Sequence, residues 1–163
     1  MRILSIDPGY ERLGVAIIEK EAVGKKERLV FSDCIRTSAK LSPHERLLII
    51  GSAIESLIKE YEPKCVALEA LFFTNNQKTA MLVAEARGVI LYEAARAELE
   101  IKEYGPGEIK AAITGYGRSD KAGMMAMIPH LIDTSAMKDS KKKLDDEFDA
   151  IAVGLTFFAR ERF

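Results

Sequence analysis

Residues Arg2 to Ile18 read RILSIDPGYERLGVAII, and the other predicted elements of the chain are organised around this segment. Two apolar runs flank a Pro-Gly turn, a pattern that is typical of a β-hairpin. The first run ends in Asp7. A carboxylate at the end of a buried strand is costly unless a cation or polar partner compensates for its lost hydration. Asp7 therefore either binds something or only caps the turn, since aspartate is common in turns.

Three further apolar runs predict strands. Residues 28–35 follow a polar turn and complete a three-stranded antiparallel meander with the hairpin. Residues 64–69, KCVALE, form a short run typical of a central strand, and residues 101–104 form another. The run KCVALE repeats the pattern of the first strand because it also ends in a carboxylate, Glu69.

Helical periodicity occupies the segments between these strands. Ser42, Pro43 and Glu45 mark a helix start, as an N-cap, a first-turn proline and the end of a capping box. An alanine-rich pattern with Gly88 in its middle predicts a helix that packs closely on the sheet or on a second subunit, and the sequence leaves both alternatives open. The predicted helices lie between residues 42 and 63, at about 77–98, at 108–113 and at about 119–131, the last of them shortened by Pro129.

The last helix is predicted by LDDEFDAIAVGLTFFAR, residues 144–160, in which apolar residues recur at helical spacing. Asp146 and Asp149 are three residues apart, so both carboxylates lie on one side of this helix, at the edge of its apolar stripe. Acidic residues in a first turn also favour the helix dipole, and this explains residues 145–147 equally well. Asp149 lies one turn further in, beside the buried stripe.

Four carboxylates can therefore meet at one point: Asp7, Glu69, Asp146 and Asp149. They have no obvious basic partner in the sequence, so they repel one another unless a cation lies between them. Oxygen ligands favour Mg²⁺ or Mn²⁺ over zinc. Two such ions about 4 Å apart promote in-line phosphodiester cleavage, because one activates water and the other stabilises the leaving oxygen. The pattern predicts phosphoryl transfer.

The composition limits the class of protein. The chain has 163 residues, 48% of them hydrophobic, and a net charge of −1, so any nucleic acid must be bound by a local basic patch. Residues 104–143 carry such a local excess, and the Lys138 to Lys143 segment either contacts DNA or is a solvated loop. Cys34 and Cys65 lie in apolar runs and are expected to be buried and unpaired. No targeting or membrane-spanning segment is visible, so a soluble cytoplasmic protein is expected.

Five segments occur in an order that carries a family resemblance: IDPG with Gly14 after it, ALEALFFTNN, AEARGV, Tyr104 through GYGRSDK, and DDEFDAIAV. The chain resembles, nearly end to end, the RuvC-type Holliday junction resolvases of the ribonuclease-H-like superfamily. The resemblance implies an α/β ribonuclease-H-like fold, in which helices flank a mixed five-stranded sheet built from an antiparallel three-stranded meander and two parallel strands. It also implies one nuclease domain over residues 1–163.

The same resemblance implies roles for particular residues. By position, the family's metal-binding catalytic acids correspond to Asp7, Glu69, Asp146 and Asp149. The cofactor implied is Mg²⁺, with Mn²⁺ as a substitute and two ions in each site. Phe72 occupies the position of an aromatic that stacks on a base at the junction centre, and Phe73 extends this wedge. The implied DNA-binding residues are Phe72, Phe73, Asn76, Lys110, Arg118 and Lys121.

The implied function is resolution of four-way DNA junctions in recombination and repair. A homodimer places two sites on a nearly symmetric junction, so that paired symmetric nicks leave religatable 5′-phosphate ends. The branch-migration proteins RuvA and RuvB are the partners implied by the resemblance.

Other classes of protein share parts of this pattern. A strand followed by Asp-x-Gly also begins the phosphate-binding half of actin-like kinases, but that architecture needs a duplicated half and about twice this length. A module that binds junctions without cutting them would not need four clustered acids. A related nuclease acting on structured RNA is a third alternative, which the Phe72–Phe73 wedge disfavours. For that Phe pair itself, core packing is the alternative to base stacking.

Overall fold

The computed structural model describes residues 1–22, 24–70, 77–134 and 145–161. Its centre is one five-stranded sheet with the spatial order β3-β2-β1-β4-β5. The first three strands pair antiparallel, whereas β4 pairs parallel with both β1 and β5. The predicted meander with two parallel strands is confirmed. The strands are β1 (Arg2–Asp7), β2 (Arg12–Glu19), β3 (Arg28–Arg36), β4 (Cys65–Glu69) and β5 (Glu100–Tyr104).

Helices cover both faces of the sheet. Successive strand residues point to opposite faces, so Ile3 packs in the cluster under α3, α4 and α5, whereas Leu4 packs in the cluster under α1 and α2. Burial on both faces explains why β1 and β4 are almost uninterrupted apolar runs. The helices are α1 (Pro43–Tyr61), α2 (Gln77–Arg96), α3 (Pro106–Thr114), α4 (Lys121–Leu131) and α5 (Asp145–Arg160).

The helix ends follow local chemistry. As predicted, Pro43 begins α1, and the carboxylate of Glu45 accepts a hydrogen bond of 2.8 Å from the Ser42 N–H. The expectation that Pro129 shortens α4 is wrong, because the helix continues past it to Leu131. A proline in the last turn removes only one backbone hydrogen bond. Buried Ile128 anchors that turn in the core.

The alanine-rich helix α2 packs closely on the rest of the domain. Ala86, Ile90 and Ala94 are fully buried in the cluster shared with α1 and the sheet. The opposite side of α2 leaves Met81 and Tyr92 66% and 62% exposed. Small residues therefore serve close packing within the domain, while apolar side chains remain accessible on the outer surface.

Both cysteines belong to the interior of the fold. Cys34 and Cys65 are buried and carry free thiols, as predicted. Burial raises the pKa of the Cys65 thiol to about 12, so this group stays protonated at neutral pH. None of the helices in the described ranges is long and apolar enough to span a bilayer.

Gly14 in β2 allows α5 to cross the sheet closely. A Cβ atom added at Gly14 would lie 2.0 Å from the backbone carbonyl oxygen of Asp146. Because this oxygen belongs to the helix backbone, Gly14→Ala must displace the start of α5 together with Asp146 and Asp149. We expect a loss of about 1–3 kcal/mol in the free energy of unfolding and much slower cleavage of the four-way junctions that the family resemblance implies as substrates.

Chemical denaturation and a cleavage assay check this prediction. Gly88→Ala is the matched control, because nothing lies within 4 Å of a Cβ added at that helical position. Alanine there should leave the protein as stable as the wild type or stabilise it by about 0.5–1 kcal/mol. A Gly14→Ala protein with wild-type stability and cleavage would contradict the close approach of helix and strand.

Candidate active site

Two of the predicted acids lie at the ends of neighbouring parallel strands. Asp7 is the last residue of β1, and Glu69 is the last residue of β4. Ile6 lies opposite Leu68 in the parallel ladder, so the next residue of each strand emerges at the same edge of the sheet. Parallel pairing thus places both carboxylates at one edge.

The other two acids come from α5, which packs across β1 and β2. Asp146 lies in the first turn, above Gly14, and Gly14 is the register partner of Asp7. Asp149 follows one turn later. The side chain of Asp146 is 13% exposed and that of Asp149 is 30% exposed, so both carboxylates lie at the boundary between core and solvent.

The electrostatics show that the four carboxylates act on one another. Burial, together with the charges of Glu69, Asp149 and Asp146, raises the pKa of Asp7 from 3.8 to about 8. Burial and Asp149 also raise the pKa of Glu69, against the lowering effects of a hydrogen bond from Asp7 and the charge of Lys110. A shared negative field of this kind strongly favours a bound cation.

Two of the acids have basic partners, which corrects the expectation that none has one. The Lys121 ammonium lies 2.9 Å from Asp149 Oδ2 and 3.5 Å from Asp145 Oδ2. Arg12 Nε lies 3.5 Å from Asp146 Oδ2. These cations come from α4 and from the start of β2, far from α5 in the sequence. Only folding brings each of them to its carboxylate.

The donor set fits a hard divalent cation. The four carboxylates supply only oxygen ligands. The raised pKa of Asp7 shows that its charged form lacks a compensating positive charge. As they stand, the described side chains include no cluster of three or more Asp, Glu, His or Cys close enough to hold an ion. Asp146 and Asp149 instead pair with Arg12 and Lys121. Binding of a metal at all four acids therefore requires these side chains to turn inward.

Comparison with known proteins identifies the family. The family model described as crossover junction endodeoxyribonuclease RuvC matches residues 3–157. The chain belongs to the RuvC family. A RuvC of Thermosipho melanesiensis is 40% identical over 163 residues and covers 100% of both chains. A RuvC of Moorella thermoacetica is 42% identical over 155 residues, which are 95% of this chain and 89% of the relative.

A solved RuvC structure agrees with the fold. The structure of Thermus thermophilus RuvC in complex with a Holliday junction substrate superposes with a TM-score of 0.86 and 28% sequence identity. The match covers 98% of this chain and 95% of that one. The ribonuclease-H-like arrangement expected from the sequence is therefore the fold of this RuvC family member.

The predicted basic residues lie on one side of the acids. Lys110 and Lys121 line a cleft of about 280 Å³ together with Glu69 and Asp149. Arg118 is exposed in the turn between α3 and α4 and does not line this cleft. The predicted wedge and loop residues Phe72, Phe73, Asn76 and Lys138 to Lys143 lie outside the described residues.

Sequence reasoning missed a buried arginine that holds the turn after Asp7. Arg46 of α1 is 6% exposed, and its guanidinium carbon lies 3.8 Å from the centroid of the Tyr10 ring. Its Nε donates a hydrogen bond of 2.9 Å to Thr37 Oγ1, which donates one of 2.6 Å to the Tyr10 carbonyl oxygen. The signal was present, because Arg46 precedes Ile50 by one helical turn in the apolar stripe of α1.

Arg46→Met tests this positioning role. The substitution leaves the Thr37 hydroxyl and the Tyr10 carbonyl with fewer partners, so we expect a loss of about 1–3 kcal/mol in the free energy of unfolding. Because the turn begins directly after Asp7, we also expect weaker Mg²⁺ binding by calorimetry. The control is Lys59→Met, at a side chain that is 72% exposed in an ion pair within α1. Equal behaviour of the two variants would contradict the role.

Proposed function

We propose that this RuvC family member is a metal-dependent endonuclease that resolves four-way DNA junctions by paired symmetric nicks. The observation that carries the proposal is that Asp7 and Glu69 end neighbouring parallel strands beneath α5, where burial and the charges of Glu69, Asp149 and Asp146 raise the pKa of Asp7 to about 8. The Thermus thermophilus relative, solved with a Holliday junction substrate, supports the choice of substrate. The expected setting is recombination and repair in the cytoplasm.

The proposed metal ligands are Asp7, Glu69, Asp146 and Asp149. Nucleases of this family depend on a metal ion, and the ligand set favours two Mg²⁺ ions, with Mn²⁺ as a substitute. When bound, the metal supplies an activated water and stabilises the leaving oxygen of the phosphodiester. The carboxylates orient the reacting groups, and the buried strand ends hold them rigidly.

The proposed DNA contacts lie around this centre. Lys110 and Lys121 line the cleft beside Glu69 and Asp149, where they would neutralise backbone phosphates. Arg118 would extend the contact along the exposed turn after α3. We further propose a homodimer, supported by the exposed apolar side chains of Met81 and Tyr92 on α2. RuvA and RuvB are the proposed partners that load it.

Cleavage of a synthetic mobile four-way junction tests the proposal. The assay compares this junction with matched duplex and RNA substrates in Mg²⁺ or Mn²⁺, with Asp7→Asn as the control. Paired symmetric nicks that can be religated, and that are lost in the variant, are expected. Tight junction binding without cutting under either metal would favour a module that only binds junctions. Preferential cleavage of RNA would favour a related ribonuclease.

Phe72 is expected to stack on a base at the strand-exchange point. A base–aromatic contact contributes about 1–3 kcal/mol, so Phe72→Ala should slow junction cleavage while the thermal unfolding temperature stays unchanged. Cleavage of the four-way junction and differential scanning calorimetry, run in parallel, separate the two effects. A variant that unfolds instead would show that Phe72 belongs to the core.

A further inference from the structure

Two arginines lie opposite each other on the strands beside the acids. Arg12 of β2 is the register partner of Arg36 of β3, so their side chains share one face of the sheet. Both residues are exposed. Like charges directly opposite each other destabilise an antiparallel pair. The pair therefore lowers the stability of the fold, and a bound anion would offset this loss.

This face is the one that α5 covers. Arg12 approaches Asp146, and Arg36 contacts the Cys34 thiol, whose sulfur lies 3.7 Å from the same Asp146 Oδ2. Arg12 also lines a groove of about 440 Å³ together with Asp7 and Asp146. Arg12 thus lies in the groove beside two of the carboxylates, and Arg36 lies opposite Arg12 on β3.

The arginines and the predicted lysines lie on either side of the acids. The sheet order places β2 and β3 on one side of β1 and β4 on the other, and Lys110 and Lys121 line a separate cleft with Glu69 of β4. A DNA strand that crosses the carboxylates would meet cations before and after the reacting phosphate. Neither Arg12 nor Arg36 is among the DNA-binding residues that the family resemblance implies.

The contact between Arg12 and Asp146 is weak enough to be exchanged. Its nitrogen–oxygen distance is 3.5 Å, and the Arg12 side chain is 59% exposed. Exposed ion pairs of this kind contribute little to stability. A divalent cation at Asp146 would displace the guanidinium, whose planar fork of donors suits a phosphate group.

We propose that Arg12 and Arg36 form a phosphate-binding pair for the DNA strand, and that Arg12 exchanges Asp146 for a DNA phosphate when metal binds. This inference rests on the proposed function and adds to it a second set of backbone contacts. Metal binding and DNA binding are then coupled, because the metal ion that binds Asp146 also releases the Arg12 guanidinium to bind a DNA phosphate.

Metal titration, junction binding at several salt concentrations and thermal unfolding of Arg12→Gln and Arg36→Gln test the pair. Calorimetric titration of the DNA-free protein with Mn²⁺ should show about two- to fivefold tighter binding for Arg12→Gln, because its competing cation is gone. Binding of a four-way junction should weaken for both variants. The slope of log affinity against log salt should fall in magnitude by about 0.9 for each lost phosphate contact. Neither variant should lower the thermal unfolding temperature.

Matched variants make the outcome specific. Arg28→Gln, at the far end of β3 with a side chain that is 60% exposed, should leave metal affinity and DNA affinity unchanged. Arg12→Lys keeps the charge and should recover the salt slope. If the wild type binds and cuts the junction but both glutamine variants bind it as tightly and with the same slope, the phosphate-binding pair is overturned and the proposed function stands. A wild type that neither binds nor cuts the junction overturns both.

Discussion

The Asp7→Asn protein is expected to cut four-way junctions at least about 10³-fold more slowly than the wild type. Asp7 is the acid on which the repulsion of the other three converges, so its loss removes a metal ligand at the centre of the four acids. Metal catalysis supplies several kcal/mol of transition-state stabilisation, and each 1.36 kcal/mol corresponds to about a factor of ten in rate.

Binding and cleavage should separate in this variant. Asparagine replaces a carboxyl group that is fully charged in the metal-free protein only above its pKa of about 8, so junction affinity should stay the same near neutral pH and improve at higher pH. Asp145→Asn is the matched control, because Asp145 lies on α5 next to the site with a side chain that is 55% exposed, and it is not one of the four acids. That control should keep most of the cleavage activity. A wild-type cutting rate in Asp7→Asn would refute the metal-site assignment.

The metal-free wild type is expected to lose stability as the pH rises from about 4 to about 8. The pKa of Asp7 is about 8 in the folded protein against an ordinary value of 3.8, so between these pH values the folded state holds a proton that the unfolded chain has released. The stability contribution of this proton is complete below pH 4 and is lost as the pH passes through 8. For this group the difference corresponds to a loss on the order of 5 kcal/mol in the free energy of unfolding.

Calorimetry in EDTA between pH 5 and pH 8 measures this loss. Asp7→Asn has no such proton, so it should be more stable than the metal-free wild type at pH 8, and the two proteins should converge towards pH 5. Mg²⁺ should raise the unfolding temperature of the wild type, with the larger increase at pH 8, because the ion replaces the proton as the source of positive charge. A wild type whose stability rises with pH in EDTA would contradict the buried acid cluster.

Much of the framework was predictable because short-range patterns specify it. Alternation, turns and caps identified the hairpin, the start of α1 and the apolar stripe of α5. The carboxylates were visible because Asp7 and Glu69 each end an apolar run. Asp146 and Asp149 were selected from the acidic start of α5 because they share one side of the helix at the edge of its apolar stripe, and the family resemblance agreed with this choice.

The cations of the site were not predictable in the same way. Arg12 lies five residues after Asp7, at the start of β2, and its local sequence is typical of any exposed strand end. Its contact with Asp146 joins residues that are far apart in the chain. Lys121 has the same character, since its contact with Asp149 crosses from α4 to α5. Arg46 was recognisable in the sequence as a polar residue in an apolar stripe. Its partners Tyr10 and Thr37 come from other elements, so they could not be inferred from that stripe.

The amino-acid sequence alone identified Asp7 and Glu69 as acids at the ends of buried strands. A carboxylate at the end of an apolar run is recognisable without the rest of the chain, because burying its charge is unfavourable at that position. The charge balance of the site arose only in three dimensions. Packing of α5 over Gly14 brings its acids to the strand ends, and the pairing of β2 with β3 places Arg12 opposite Arg36 beside them. Packing of α3 and α4 against α5 brings Lys110 and Lys121 to Glu69 and Asp149. Coulomb interactions depend on distances through space, and only the folded chain has those distances.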